Sequence, residues 1–165
     1  MRIGIGLELR GCEDEVDEFG APTQSRKCEI APSVDVLKCN VQWCANDGMR
    51  VTDGAVVTAK QCEFMGNEGI GVSCWGTDTK ARLNDCQMHH NRDGLDAAYR
   101  AVVDLHGSKT DIHSNKLFGI DASSHAIVHI HLPSQHNTSH DNKADRFQEP
   151  GGYIANINAD GTFTH

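Results

Sequence analysis

Residues 61–72 read QCEFMGNEGIGV, residues 85–97 read DCQMHHNRDGLDA and residues 109–122 read KTDIHSNKLFGIDA. Each stretch carries an apolar residue, an Asn three positions later, then a Gly and a short apolar run. The asparagines are Asn67, Asn91 and Asn115, each 24 residues after the last, and Asn46 is the candidate for an earlier copy. A period in the low twenties marks a solenoid, in which every turn covers the apolar face of its neighbour. The apolar segments alternate over a few residues and lack the 3.6-residue period of a helical repeat, so the fold class is all-β.

Outward from this stretch the register continues. Val57, Ala59, Cys62, Phe64, Ile70 and Val72 face inward, and the three-residue step from Ala59 to Cys62 marks a tight bend. Ala81, Leu83, Cys86, Met88, Leu95 and Ala97 repeat the pattern, as do Val103, Leu105, Gly107, Thr110, Ile112, Ile120 and Ala122. Upstream, Leu37, Cys39, Val41 and Trp43 read as one half-buried strand, followed by a turn at Asn46-Asp47-Gly48 and inward Met49 and Val51. Cys28 and Ile30 predict a short strand, and Pro32-Ser33 a turn. GIGLEL at 4–9 resembles GIGVSC at 69–74, so the chain is expected to begin inside a repeat, with coils missing before Met1.

Residues 10–26 break the pattern and read as a long loop. They hold the acidic run Glu13-Asp14-Glu15-Val16-Asp17-Glu18, either a solvated loop or a site for a cation or basic partner. Val128, Ile130 and Leu132 open a further coil, Pro133 ends its strand, and residues 134–148 loosen the pattern, with Asn142 the candidate for its Asn. Tyr153–Ile157 and Thr162–Thr164 flank Asn158-Ala159-Asp160-Gly161, a hairpin signal. The expected organisation is β-helix repeats over 1–150 and a hairpin or tail over 151–165, which would cover an open strand edge.

Length and composition narrow the function. The 165 residues suit one domain, and the net charge of −8 excludes a basic face for nucleic acid. No apolar run reaches the length of a membrane span and no signal peptide follows Met1, so a cytoplasmic protein is expected. The seven Cys form no CxxC pair. Cys62 and Cys86 share one repeat position, which predicts stacked, buried, reduced thiols rather than a disulfide. Asn137-Thr138-Ser139 is a glycosylation sequon, relevant only to a secreted chain.

The pattern apolar-x-apolar, bend, C-x-(F/M)-x-x-N-x-x-G-(I/L)-x-(V/A) resembles the right-handed parallel β-helix repeat of the pectate-lyase-like (pectin lyase fold) superfamily. It also resembles the intracellular β-helix repeats of certain F-box and related scaffold proteins. The resemblance covers roughly residues 34–132 and implies a right-handed parallel β-helix of four to five coils. Residues one period apart then lie about 4.8 Å above each other.

In that stack the outward column beside Met49/Val51, Ile70/Val72, Leu95/Ala97 and Ile120/Ala122 is Arg50, Gly71, Asp96, Asp121. Stacked carboxylates repel unless a cation lies between them or one keeps a raised pKa. The resemblance implies that polyuronate lyases and epimerases work on such a face with Asp residues, sometimes Ca²⁺, and a basic proton acceptor. Asp96, Asp121 and Arg50 are the candidate catalytic residues on that reading; Asp93 and Arg100 either join them or cover loops. No full motif of pectate lyases, polygalacturonases or alginate epimerases is present.

A second outward column reads Thr58, Arg82, His106, His129, with His131 beside it and His125, His136 and His140 nearby. His106, His129 and His131 are the candidate metal ligands, and a pH-sensitive surface is the alternative. His89 and His90 are expected at the surface in a turn. The Asn repeats are expected to satisfy backbone groups, and Gly48, Gly69, Gly94 and Gly119 to serve the turn into the strand.

Two functions follow as expectations. The first is a non-enzymatic scaffold module, without a cofactor, that presents a sheet face to a protein or polysaccharide (carbohydrate-binding) partner and self-associates into a homo-oligomer. The second is a polysaccharide lyase or C5-epimerase fragment acting on polyuronate, with Ca²⁺ as its ion.

Overall fold

The strands pair in parallel with strands one repeat away, and so build three long sheets. The computed structural model describes residues 7–10, 15–16, 22–24, 33–132, 136, 138–158 and 160–164. Sheet A holds Leu7–Arg10, Met49–Thr52, Ile70–Trp75, Asp93–Ala98, Phe118–Ala122 and Ala144–Gln148. Sheet B holds Ser33–Leu37, Val56–Lys60, Lys80–Asn84, Val102–His106, Ile127–Ile130 and Tyr153–Ile157. Sheet C holds Asn40–Gln42, Glu63–Met65, Gln87–His89, Asp111–His113 and Ser139–His140. The chain visits B, C and A in turn, making a parallel β-solenoid of about five turns. No helix is present among the described residues.

The core runs down the axis in stacked layers. Sheet B contributes Val57/Ala59, Ala81/Leu83, Val103/Leu105 and Val128/Ile130; sheet C contributes Phe64, Met88 and Ile112. Sheet A contributes Met49/Val51, Val72/Cys74, Leu95/Ala97 and Ile120/Ala122. Leu7 pairs with Met49 and Leu9 with Val51, so residues 7–9 occupy the place that their likeness to residues 72–74 implies.

The B-to-C bend is lined by the predicted thiol column. The Cys62 Sγ donates to the Val36 and Lys60 carbonyls, and the Cys86 Sγ to those of Ala59 and Asn84. Cys39, Cys44, Cys62, Cys74 and Cys86 are all free thiols. Burial pushes the Cys86 thiol up to about 11 and the Cys74 thiol up to about 12, with the Asp96 charge adding to the latter.

The corners depend on left-handed residues. Between sheets C and A the position is filled by Trp43, Gly66, His90, Ser114 and Asp141, with φ of 59°, 65°, 58°, 54° and 55°. At the B-to-C bend Lys38, Gln61 and Asp85 adopt φ of 52–55°. For an L-residue this conformation costs about 1–2 kcal/mol, so stacked neighbours rather than local preference hold it.

Several expectations are corrected. Leu37 to Trp43 is two strands broken at Lys38, not one; Leu37 and Trp43 are exposed, and the Trp43 ring lies over Gly66. Gly107 turns the chain with φ 83° instead of facing the core. Residues 134–148 are not merely loose, since Ser139–His140 and Ala144–Gln148 complete the fifth coil. Tyr153–Ile157 extends sheet B in parallel and also forms the expected hairpin with Phe163–Thr164, so the solenoid runs past residue 150. Within 10–26, Glu15–Val16 pairs antiparallel with Pro22–Gln24. The strand at Cys28 and Ile30, Pro32 and most of the acidic run lie outside the described residues.

Candidate functional site

Sheet A carries the densest outward chemistry. Its column reads Glu8, Arg50, Ser73, Asp96, Asp121, Phe147. Ser73, not Gly71, stands between Arg50 and Asp96, because Met49 pairs with Val72 and Val51 with Cys74. The misreading has a local cause. Two glycines follow Asn67, Gly69 and Gly71, and Gly69 with the apolar Ile70 after it imitates the Gly-Leu and Gly-Ile steps at Gly94 and Gly119.

The structural column is Gly48, Gly71, Gly94, Gly119, and a turn is not what it serves. A Cβ on Gly71 would lie 2.7 Å from the Gly94 carbonyl oxygen and 2.9 Å from the Asn91 amide nitrogen. Close approach between coils excludes a side chain there.

The asparagines behind that column form a ladder. The Asn91 Oδ1 accepts from the Asn67 backbone N–H and the Asn67 Nδ2, both at 2.9 Å. Its own Nδ2 donates to the Phe64 carbonyl at 3.0 Å and to the Asn115 Oδ1 at 3.2 Å. The Asn142 Oδ1 extends the series by accepting from Asn115. Asn46 is exposed and takes no part; Cys44 holds the first-coil position and donates its N–H to the Asn67 Oδ1.

Asp96 and Asp121 are in register on adjacent strands. The Trp75 Nε1 donates to the Asp96 Oδ2 at 3.0 Å, while the Asp121 Oδ1 is buried with no hydrogen-bond partner among the described residues. Burial lifts Asp96 to about 6; Asp93 and Asp47 add to the rise, and the Trp75 bond and Arg92 oppose it. Burial also lifts Asp121 to about 6, helped by Asp96, Glu149 and Asp93. Each carboxyl is therefore partly protonated in the range just below neutral pH.

The remaining predicted residues divide. The Asp47 Oδ2 accepts from the Arg50 Nε at 3.1 Å and Nη2 at 2.8 Å and from the Ser73 hydroxyl, and its Oδ1 accepts from the Ile70 N–H. Asp93 repeats that role, pairing with the Arg92 Nε and accepting from the Phe118 N–H. Both are buried structural carboxylates. Arg100 sits in a turn at φ 67°.

Beside the column runs a groove of about 340 Å³ lined by Glu8, Arg50, Thr52, Asp53, Trp75, Gly76 and Tyr99. Trp75 and Tyr99 meet edge to face at 6.4 Å, and the Arg50 guanidinium lies 5.3 Å from the Trp75 ring centre. Neither aromatic stood out in the sequence. Each follows its ladder Asn by eight residues, and that shared offset is the signal that marks them.

The histidines fall into two groups. In sheet B the column is Thr58, Arg82, Asp104, His129, and His106 belongs to the next column with His131. Asp104 lies between the inward Val103 and Leu105, which is how the sequence could have shown it. The second group stacks on sheet C: His89, His113 and His140 lie 4.9 Å and 5.4 Å apart, nearly parallel. His89 is buried there, not a surface residue, and its Nε2 is 3.0 Å from the Glu63 carboxylate. His136 bonds to Thr138 and the Ser108 carbonyl, and His125 occupies a turn.

Set beside known proteins, residues 27–165 match the family model described as a right handed beta helix region. The chain matches no curated protein and no solved structure at a significant level.

Proposed function

The chain belongs to the right-handed β-helix family, and from that premise we propose that it is a non-enzymatic module whose sheet A face binds a neutral polysaccharide. The groove at Trp75 and Tyr99 carries this reading. Indole and phenol faces pack against the C–H faces of sugar rings, and Tyr99 is 62% exposed and open to such a partner. Around the rings, Asp53 and the Arg50 guanidinium supply an acceptor and donors for hydroxyls. With Asp47 and Asp93 paired to Arg50 and Arg92, the carboxylates of Asp53, Asp96 and Asp121 leave the face net negative, which favours an uncharged chain over an anionic one.

A second reading, a polyuronate lyase or C5-epimerase, draws support from the raised pKa of Asp96 and Asp121. A group titrating near 6 is suited to proton transfer. Arg50 is less suited to be its proton acceptor, being bound to Asp47 and separated from Asp96 by Ser73. Ca²⁺ between the carboxylates would belong to this reading alone.

Isothermal titration with neutral gluco-, manno- and xylo-oligosaccharides tests the first reading, with pectate and alginate run in parallel, with and without calcium. Binding of a neutral oligosaccharide that is lost in Trp75→Ala and Tyr99→Ala supports it. Unsaturated product seen by ultraviolet absorbance, or epimerisation seen by proton NMR, that disappears in Asp96→Asn/Asp121→Asn establishes the second reading instead. Binding unchanged by both aromatic variants would overturn the placement on this groove.

A further inference from the structure

We propose that Asp104, His106 and His131 bind a divalent transition metal of the zinc type on the outer face of sheet B, with His129 as an additional donor. Their ligand atoms already lie within 4.8 Å of one another. The Asp104 Oδ1 is the hub: the His131 Nε2 approaches it at 2.9 Å and the His129 Nδ1 at 3.3 Å. His106 completes the set from the strand that carries Asp104, two residues on and therefore on the same face. Its Nε2 is buried with no hydrogen-bond partner among the described residues. A buried imidazole nitrogen without a partner is costly, and a metal beside the Asp104 carboxylate would satisfy it.

The donor set decides the class of ion. Imidazole nitrogens with one carboxylate suit zinc, cobalt, nickel and copper. Calcium and magnesium prefer several oxygen donors, and here the single carboxylate has Arg82 in register beside it. Phe163, with its ring 6.1 Å from that of His129, and Asn84, in register with His106, flank the cluster.

Binding requires a rearrangement. His106 and His131 stack with ring centres 4.1 Å apart and planes within 10°. Two parallel rings cannot aim in-plane lone pairs at one ion, so both must tilt about their outer side-chain bonds. His106 and His129 hold outer strand positions and His131 directly follows its strand, so the tilt leaves the inward Leu105 and Ile130 in place. The sheet C stack of His89, His113 and His140 is an internal control. Its nitrogens already engage Glu63, Ser114 and Asp141, and no comparable set of donors is found there among the described residues.

The experiment uses the full chain without a histidine tag. Zinc is titrated in by calorimetry, and cobalt by visible absorption, with calcium and magnesium as comparators. Histidine ring resonances are followed by NMR in the wild-type protein. The expected result is a single zinc equivalent, shifts at His106 and His131 but not at His89 or His113, and a tetrahedral cobalt spectrum. Affinity should fall by more than about tenfold in His106→Gln and in Asp104→Asn, since even outer-shell partners carry that much. His113→Gln should bind as the wild type does. Absence of stoichiometric zinc binding by the wild-type chain overturns the proposal, as do zinc-induced shifts confined to the sheet C histidines. The wild-type readout stands whether or not a variant folds.

Discussion

Asn91 and Asp96 lie five residues apart on one coil, and each stacks on its own kind in the next coil, Asn91 on Asn115 and Asp96 on Asp121. The geometry is the same and the chemistry opposite. An amide both donates and accepts, so a column of amides closes its own hydrogen bonds and ties each coil to the next. A carboxylate only accepts, so two in a column repel until one takes a proton. The interior stack therefore holds the fold together, while the exterior stack burdens it. A burden at a solvent-facing position, beside an aromatic groove, is where a binding role is best sought.

Breaking the ladder should have the largest effect. Asn91→Ala strips the Asn67 N–H, the Phe64 carbonyl and the Asn115 Oδ1 of a buried partner, and should lower stability by roughly 3–4 kcal/mol. Urea unfolding measures it. Gly71→Ala attacks the same layer from outside, forcing a Cβ against the Gly94 carbonyl and the Asn91 amide, at a cost of about 2–3 kcal/mol.

The exterior pair should respond with the opposite sign. A folded-state pKa of about 6 lies above the ordinary carboxyl value of 3.8, so the folded chain binds more protons between those limits. The stabilisation from holding that proton is complete below pH 3.8 and is lost as pH rises through about 6. Asp96→Asn keeps an oxygen to accept from Trp75 and removes the charge. It should raise stability at pH 7 by on the order of 1–2 kcal/mol and leave it nearly unchanged at pH 4. Thermal melts at both values test this. The smallest effect belongs to Asn46→Ala, expected within about 0.5 kcal/mol because the residue is outside the ladder. A loss comparable to that of Asn91→Ala would return Asn46 to the ladder.

The fold was legible because stacking repeats its demands. Phe64, Met88 and Ile112, the three ladder asparagines and Cys62 over Cys86 all recur at near-constant spacing, and constant spacing is what a solenoid imposes. The first coil was harder to read, since Cys44 replaces the ladder amide and Trp43 takes a left-handed corner that its side chain does not announce. The candidate site was half legible. Asp96 and Asp121 emerged as a pair, but Ser73 was lost because Gly69 stood in for Gly71. Trp75 and Tyr99 stayed hidden because the groove depends on how the strand ends meet the corners. Asp104 was missed although the alternation of Val103 and Leu105 places it outward. Outward positions carry no hydrophobic period to fix their register, so an error of two residues passes unnoticed.

The most direct test of the central contrast is a carbon-13 NMR titration of the side-chain carboxyls across roughly pH 3 to 8, a range that brackets both the ordinary carboxyl value and the expected midpoint. Asp96 and Asp121 should titrate with midpoints near 6, clear of the ordinary carboxylate range. Both groups titrating near 4, like solvated carboxylates, would contradict it and leave the outer column as surface.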